Sequence, residues 1–164
     1  RNLSFEPDDT AWIFDDAIAC NDAYVDKRAV LRGEAVVCDN AYISMGAVLS
    51  GHARVEDNAY IRGAVLSASA RASGFSMILN DKDTMGVPIL SGHCAVYGKV
   101  SGDVRLTGSA LVISGEEIRN DTLDTLVISG KNRSVIRDSS RDELAPQQPS
   151  PPTPQKQKGC EMSR

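Results

Sequence analysis

The sequence predicts an all-β fold: a single-stranded parallel β-helix of about six coils, three hexads to the coil. Three observations predict it. Ala recurs at 11, 17, 23, 29, 35, 41, 47, 53 and 59 without a slip. Two residues after each Ala stands Ile13, Ala19, Val25, Leu31, Val37, Ile43, Leu49, Val55 or Ile61. Polar or turn-forming pairs such as Asn21-Asp22, Gly33-Glu34, Asp39-Asn40 and Gly51-His52 fill the interval that follows. A helix returns its apolar face every ~3.6 residues, so a strict period of six is out of phase with it. A short strand and a tight turn fit. The Ala and the aliphatic point to one side, and the residues between and after them to the other. Asp, Asn and Gly then take the turn, positive φ included, at low cost.

An eighteen-residue superperiod sets the coil. Tyr24, Tyr42 and Tyr60 are spaced by eighteen, as are Asp22, Asn40 and Asn58, while Cys20 matches Cys38 and Gly33 matches Gly51. Three hexads per coil place such residues directly above one another, ~4.8 Å apart. The tyrosines can then stack ring on ring, and the Asn and Asp turns can hydrogen-bond between coils.

The Ala-x-(Leu/Ile/Val)-x-(Gly/Asp)-(Asn/Asp/His) unit resembles the hexapeptide-repeat, left-handed β-helix superfamily, best known from acyl-CoA-dependent acyltransferases. The repeat resemblance covers residues 11–128. Asn2-Leu3-Ser4, followed by Thr10-Ala11-Trp12-Ile13-Phe14-Asp15-Asp16-Ala17, is similar to the entry of the helix in YdcK-like proteins. Those are bacterial and phage-associated β-helix proteins, named as acetyltransferases mainly for their fold. The resemblance implies left-handedness, which hexad spacing alone does not prove, and implies sequence upstream of Arg1.

After Ile61 the period stumbles. Ala64 and Leu66 come one residue early, and Ala70/Ala72 and Ser76/Ile78 resume the step. Asn80–Gly86 breaks it, yet Leu90 and Val96 stand twelve and eighteen after Ile78, so a loop is expected to replace about one strand. Val100, Leu106, Val112 and Ile118 are again six apart, and Ala110–Gly115 is echoed by Thr125–Gly130. Irregular last coils suit a solenoid end that must be capped. From about Arg141 the chain becomes rich in Pro and Gln. Such sequence buries too little apolar surface to offset its chain entropy. The expected organisation is a lead-in at 1–10, the helix at 11–138 and a disordered tail at 139–164.

Bulk composition sets outer limits. The 164 residues, 41% apolar and 24% charged, suffice for one folded domain, and the 5% aromatic share suits a narrow core of small and aliphatic side chains. A net charge of −4 argues against a general binder of nucleic acid or anionic membrane. No apolar run approaches the ~18–20 residues of a membrane span. Four Cys are too few for a disulfide scaffold. Arg1-Asn2-Leu3-Ser4 shows no signal segment, and a cytoplasmic setting is expected.

Candidate chemistry is sparse. Both histidines occupy one frame, Ser50-Gly51-His52-Ala53-Arg54-Val55 and Ser91-Gly92-His93-Cys94-Ala95-Val96. In acyltransferases that this repeat resembles, a turn His acts as general base on the acceptor, in a groove between neighbouring prisms of a trimer. His93 is the stronger candidate, because the 80–89 loop precedes it and could wall a pocket. His52 is the weaker. The quiet alternative makes both another version of the Asp-Asn-Ala turn, and the duplicated frame favours that. A three-His metal site fails by count, since the chain has two His, so no metal is expected. Cys20 and Cys38 face outward on adjacent coils and are expected as free thiols. Thr is scattered at 10, 84, 107, 122, 125 and 153, which forms no flat ice-binding ladder.

The outward row before each inner aliphatic reads Trp12, Ile18, Tyr24, Val30, Val36, Tyr42, Val48 and Tyr60; the row after it begins Phe14, Cys20, Asp26, Arg32, Cys38 and Ser44. Val30 and Val48 stack on one face with Trp12, and Ile18 with Val36 on the next. Exposed apolar stripes imply a partner surface. Packing into a homotrimer through the prism faces is therefore expected. Two functions follow: a structural, oligomeric interaction protein without chemistry of its own and needing no cofactor, or an acyltransferase using acetyl-CoA or another acyl-CoA. Fold alone does not choose between them.

Overall fold

A computed structural model describes residues 2–4 and 6–136. The tail expected at 139–164, and the last two residues assigned to the helix, lie outside the described residues.

The inner column forms because Ala and Leu, Ile or Val alternate with outward residues in strands two to five residues long. The first turn runs through β1 (Trp12–Ile13), β2 (Ile18–Ala19) and β3 (Tyr24–Val25). Each begins one face of a three-sided prism. The first face stacks β1 below Val30–Leu31, Val48–Leu49, Val65–Leu66, Ile89–Leu90, Val104–Thr107 and Thr125–Ser129. The second rises from β2 to Leu111–Val112, and the third from β3 to Glu117–Asn120. Every pairing up to Thr125–Ser129 is parallel and in register, as in Trp12 opposite Val30 and Tyr24 opposite Tyr42. The fold is an all-β parallel β-helix.

The core is the prism axis. Leu31, Val37, Ile43, Leu49, Val55 and Ile61 have no exposed surface, and neither have Ala29, Ala35, Ala41, Ala47 and Ala53. Each large aliphatic contributes ~1.5–3 kcal/mol on burial. The corners take the strain of turning. Asp15, Asn21, Asp39 and Asp57 all adopt positive φ between 55° and 63°, a conformation that short polar side chains tolerate. Between coils the corner residues form the expected ladders. Asn21 Nδ2 donates to Asp39 Oδ1 at 3.1 Å, and Asn40 Nδ2 to Asn58 Oδ1 at 3.2 Å.

The structure corrects the sequence reading in its coil count and its loop, and adds two findings. The helix makes about seven turns rather than six. Corners such as Val96 to Val100 shorten the step, so counting hexads undercounts coils. The 80–89 loop replaces no strand. Leu90 pairs with Leu66, twenty-four residues away, whereas Leu31 pairs with Leu49, eighteen away. The six extra residues bulge from the corner between the third and first faces. They close on themselves there: the Asp81 N–H donates to the Gly86 carbonyl at 2.9 Å and Thr84 Oγ1 to Asp81 Oδ2 at 3.0 Å. The echo of Ala110–Gly115 in Thr125–Gly130 joins no two rungs of one sheet, because Leu111–Val112 lies on the second face and Thr125–Ser129 on the first. Finally, the outward row following each strand is not uniformly exposed, since Asp26 and Ser44 are buried.

The last turn is closed by a hairpin. Thr125–Ser129 pairs antiparallel with Asn132–Ile136. Asn120, almost buried, holds the preceding corner: its Nδ2 donates to the carbonyls of Asp103 and Asp124, and its Oδ1 accepts from Thr122 Oγ1.

Candidate functional site

Both histidines sit on the corner between the first and second faces. That corner is a column of two-residue turns: Gly33-Glu34, Gly51-His52, Ala68-Ser69, Gly92-His93 and Gly108-Ser109. Backbone hydrogen bonds tie each level to the next. The His52 N–H donates to the Ala68 carbonyl at 2.7 Å, Ser69 to Gly92 at 2.9 Å and His93 to Gly108 at 2.8 Å. His52 and His93 are thus two rungs apart, which is ~10 Å at the strand spacing of parallel sheets. They share neither a proton nor a metal ion across that gap.

His52 Nδ1 lies 2.9 Å from Glu34 Oε2 on the rung below, with both side chains about two-thirds exposed (66% and 64%). In water such a pair adds less than ~1 kcal/mol. His93 is exposed, and its imidazole has no hydrogen-bond or ion-pair partner among the described residues. The loop expected to wall a pocket beside it projects instead from the corner between the third and first faces. The shallow hollow beside that loop is lined by Arg62, Asn80, Asp81, Ser101, Glu117 and Arg119, without His93. Arg62 is committed there to Asn80, through its Nε to Oδ1 and its Nη2 to the backbone carbonyl, both at 3.1 Å. Among the described residues no three His, Cys, Asp or Glu side chains gather to hold a metal ion.

The third face carries the best-organised polar group. Tyr24, Tyr42 and Tyr60 stack, with ring centroids 5.9 and 5.2 Å apart. Tyr42 donates its hydroxyl to Asp26 Oδ2 at 2.6 Å, while Asp26 Oδ1 is buried with no partner. Tyr60 repeats the arrangement, its hydroxyl 3.4 Å from Ser44 Oγ. Burial first, and then the Asp26 carboxylate, push the Tyr42 hydroxyl well above the ordinary tyrosine range. The sequence carries a signal for this pairing in the sixteen-residue spacing of Tyr42 from Asp26 and Tyr60 from Ser44.

Cys20 and Cys38 are free thiols, as the sequence predicts, and so is Cys94. Cys20 Sγ donates to the Val37 carbonyl at 3.7 Å. Burial, with the neighbouring Cys20 thiol, pushes Cys38 up to about 12. Such a thiol is a poor nucleophile at neutral pH.

The outward residues give the faces distinct surfaces. On the first, Trp12, Val30, Val48, Val65 and Ile89 stand in register before Arg105 interrupts them. The second carries Arg54 and Arg71 in its middle, and Glu56 pairs with Arg71 beside them. The third runs from the tyrosines through Met77 to Lys99 and Glu117. The first face is the apolar one.

No known protein family, curated protein or solved structure matches the chain. The residues themselves therefore carry the assignment, and they establish a parallel β-helix.

Proposed function

We propose that this protein is a non-catalytic β-helix scaffold, of the hexapeptide-repeat left-handed kind, that assembles with copies of itself through the first face. The observation that supports the reading is the in-register apolar column Trp12, Val30, Val48, Val65 and Ile89. A column of that length on one side of a rigid prism gives a partner a continuous surface to cover. A heterologous contact in which the edge of this face on one copy meets a different strip on the next closes after three copies, and a homotrimer is the assembly expected. The free thiols suit a reducing, cytoplasmic setting. No helix is long and apolar enough to cross a membrane among the described residues.

Light scattering at micromolar concentration tests it. The wild type is expected to show a three-chain mass and Val48→Lys a one-chain mass with an unchanged far-ultraviolet spectrum. A monomeric wild type overturns the reading. Thermal shift with acetyl-CoA tests the acyltransferase alternative in the same samples. A clear shift, with acyl transfer lost in His93→Ala, replaces the scaffold by an enzyme.

A further inference from the structure

The corner between the second and third faces carries a notch that its own spacing makes. On one rung Gly74, Phe75 and Ser76 stand between Ser73 and Met77. On the rung above, the chain cuts the corner, with Gly98 alone between Tyr97 and Lys99. On the next rung Ser114, Gly115 and Glu116 again fill the space between Ile113 and Glu117. The faces on either side stay in register, Ala72 opposite Val96 and Met77 opposite Lys99, so the middle rung lacks two corner residues. The gap is a hollow of about 290 Å³, with Phe75 beneath it, Tyr97 and Gly98 at its back and Ser114 and Gly115 above. Two rung spacings, ~10 Å, are enough to admit one extended chain.

Two observations give the notch a chemistry. Phe75 is 80% exposed and Tyr97 38%, so two aromatic rings line one opening. The other observation is a backbone donor. On the lower rungs of this corner the second corner residue donates its N–H to a carbonyl on the rung above: Asn40 to Asp57 at 2.9 Å and Asn58 to Gly74 at 3.0 Å. Phe75 holds the next place in that column, and the residue that would accept from it is one of the two missing. Its N–H meets no acceptor among the described residues, and by the same geometry it is aimed into the notch. Charge does not select the occupant. Lys99 and Glu117 oppose each other at the rim, and Glu116 is already paired with Arg133. The notch therefore suits a neutral segment rich in carbonyl acceptors and poor in N–H donors.

We infer that it binds the chain's own proline-rich segment, residues 146–154, which lies outside the described residues. Five of those nine residues are Pro and carry no N–H, and no charged side chain stands between Glu143 and Lys156. Pro-rich segments dock in aromatic-lined grooves, and here the Phe75 N–H donates to a carbonyl of the segment. Pro already fixes φ, so docking costs less ordering entropy than for another sequence. The reach suffices. Ile136, paired with Thr125 at the start of the first face, stands one face across and three rungs above the notch, ~25 Å away. The twelve residues 137–148 extend to ~40 Å. This corner is opposite the first face, so the contact does not depend on assembly there.

Amide hydrogen exchange of the full chain, resolved at residue 75 by nuclear magnetic resonance, tests it. An exposed N–H without an acceptor has no protection, whereas a docked carbonyl gives it some. The wild type is expected to show about 10-fold protection, a tethered segment having an effective concentration in the ~mM range. The triple variant Pro149→Ala, Pro151→Ala, Pro152→Ala is expected to lose it. So is Phe75→Ala, which removes the ring and keeps the amide. The Tyr97 N–H, bonded to the Val112 carbonyl at 2.8 Å, is expected to stay protected in every chain, which reports an intact helix. An unprotected residue 75 in the wild type, or equal protection in the wild type and the Pro variant, overturns the proposal. So does protection that disappears on dilution, which would assign the notch to the segment of a second copy.

Discussion

Val37 stands in the second-face column between Ala19 and Val55, fully enclosed. Val37→Asp would bring a carboxylate into the prism with no partner, at a cost above ~4 kcal/mol. Loss of the cooperative melt by calorimetry is the expected outcome; a retained melt would refute the inward register. Tyr42 is different, because the group at stake is polar. In Tyr42→Phe, Asp26 loses its hydroxyl donor while its other oxygen is already unpartnered, which costs about 1–3 kcal/mol. The raised pKa of Tyr42 adds a pH signature. Its stabilisation is complete below the ordinary tyrosine value near ~10 and is lost as pH rises through the higher folded value. Urea unfolding across that alkaline range should show stability falling, with the tyrosine part of the fall absent in Tyr42→Phe. Of these two residues, Val37 was legible from period alone. The burial of Asp26 was not, since an aspartate one place after an inner aliphatic reads as solvated until a ring from the next coil leans over it.

At the scale of elements, the corners decide how much irregularity the helix absorbs. The corners use residues of positive φ; Asp, Asn or Gly supplies most of them, while Lys27, Arg28, Met45 and Ala68 supply others. Gly102 and Gly46 separate two reasons for that choice. Gly102 has φ +83° and lies under the Asn120 carbonyl, which a Cβ would overlap. Gly46 has φ +74° with nothing near the position of a Cβ. Gly102→Ala is expected to lose about 3 kcal/mol or more, from strain plus backbone displacement, and Gly46→Ala about 1 kcal/mol from strain alone. Denaturant titration of both variants measures the difference; equal losses would refute the close packing of the last corners. The inserted loop illustrates the limit of sequence reading at this scale. Twelve residues from Ile78 to Leu90 are compatible with a strand replaced or with a strand-free bulge. Pairing of Leu90 with Leu66 selects the bulge.

For the whole molecule, stability is distributed turn by turn, each coil covering the one before it. The last described turn is paired with a hairpin strand, while Trp12, Phe14 and Ile18 stay exposed on the first. The sides differ as well, with apolar residues concentrated on the first face. Assembly through that face is read by light scattering, because Val48→Lys changes the middle of its apolar column. The sequence by itself determined the inner column, the three-hexad coil, the tyrosine stack and the free state of Cys20 and Cys38, because each depends on an address that a constant period supplies. Only the tertiary structure decided the number of turns, the corner from which the loop projects, the antiparallel closing strand and the separation of His93 from that loop. Those depend on steps that were shortened, lengthened or reversed, and backbone pairing between distant rungs, rather than any local preference, fixes where such steps land.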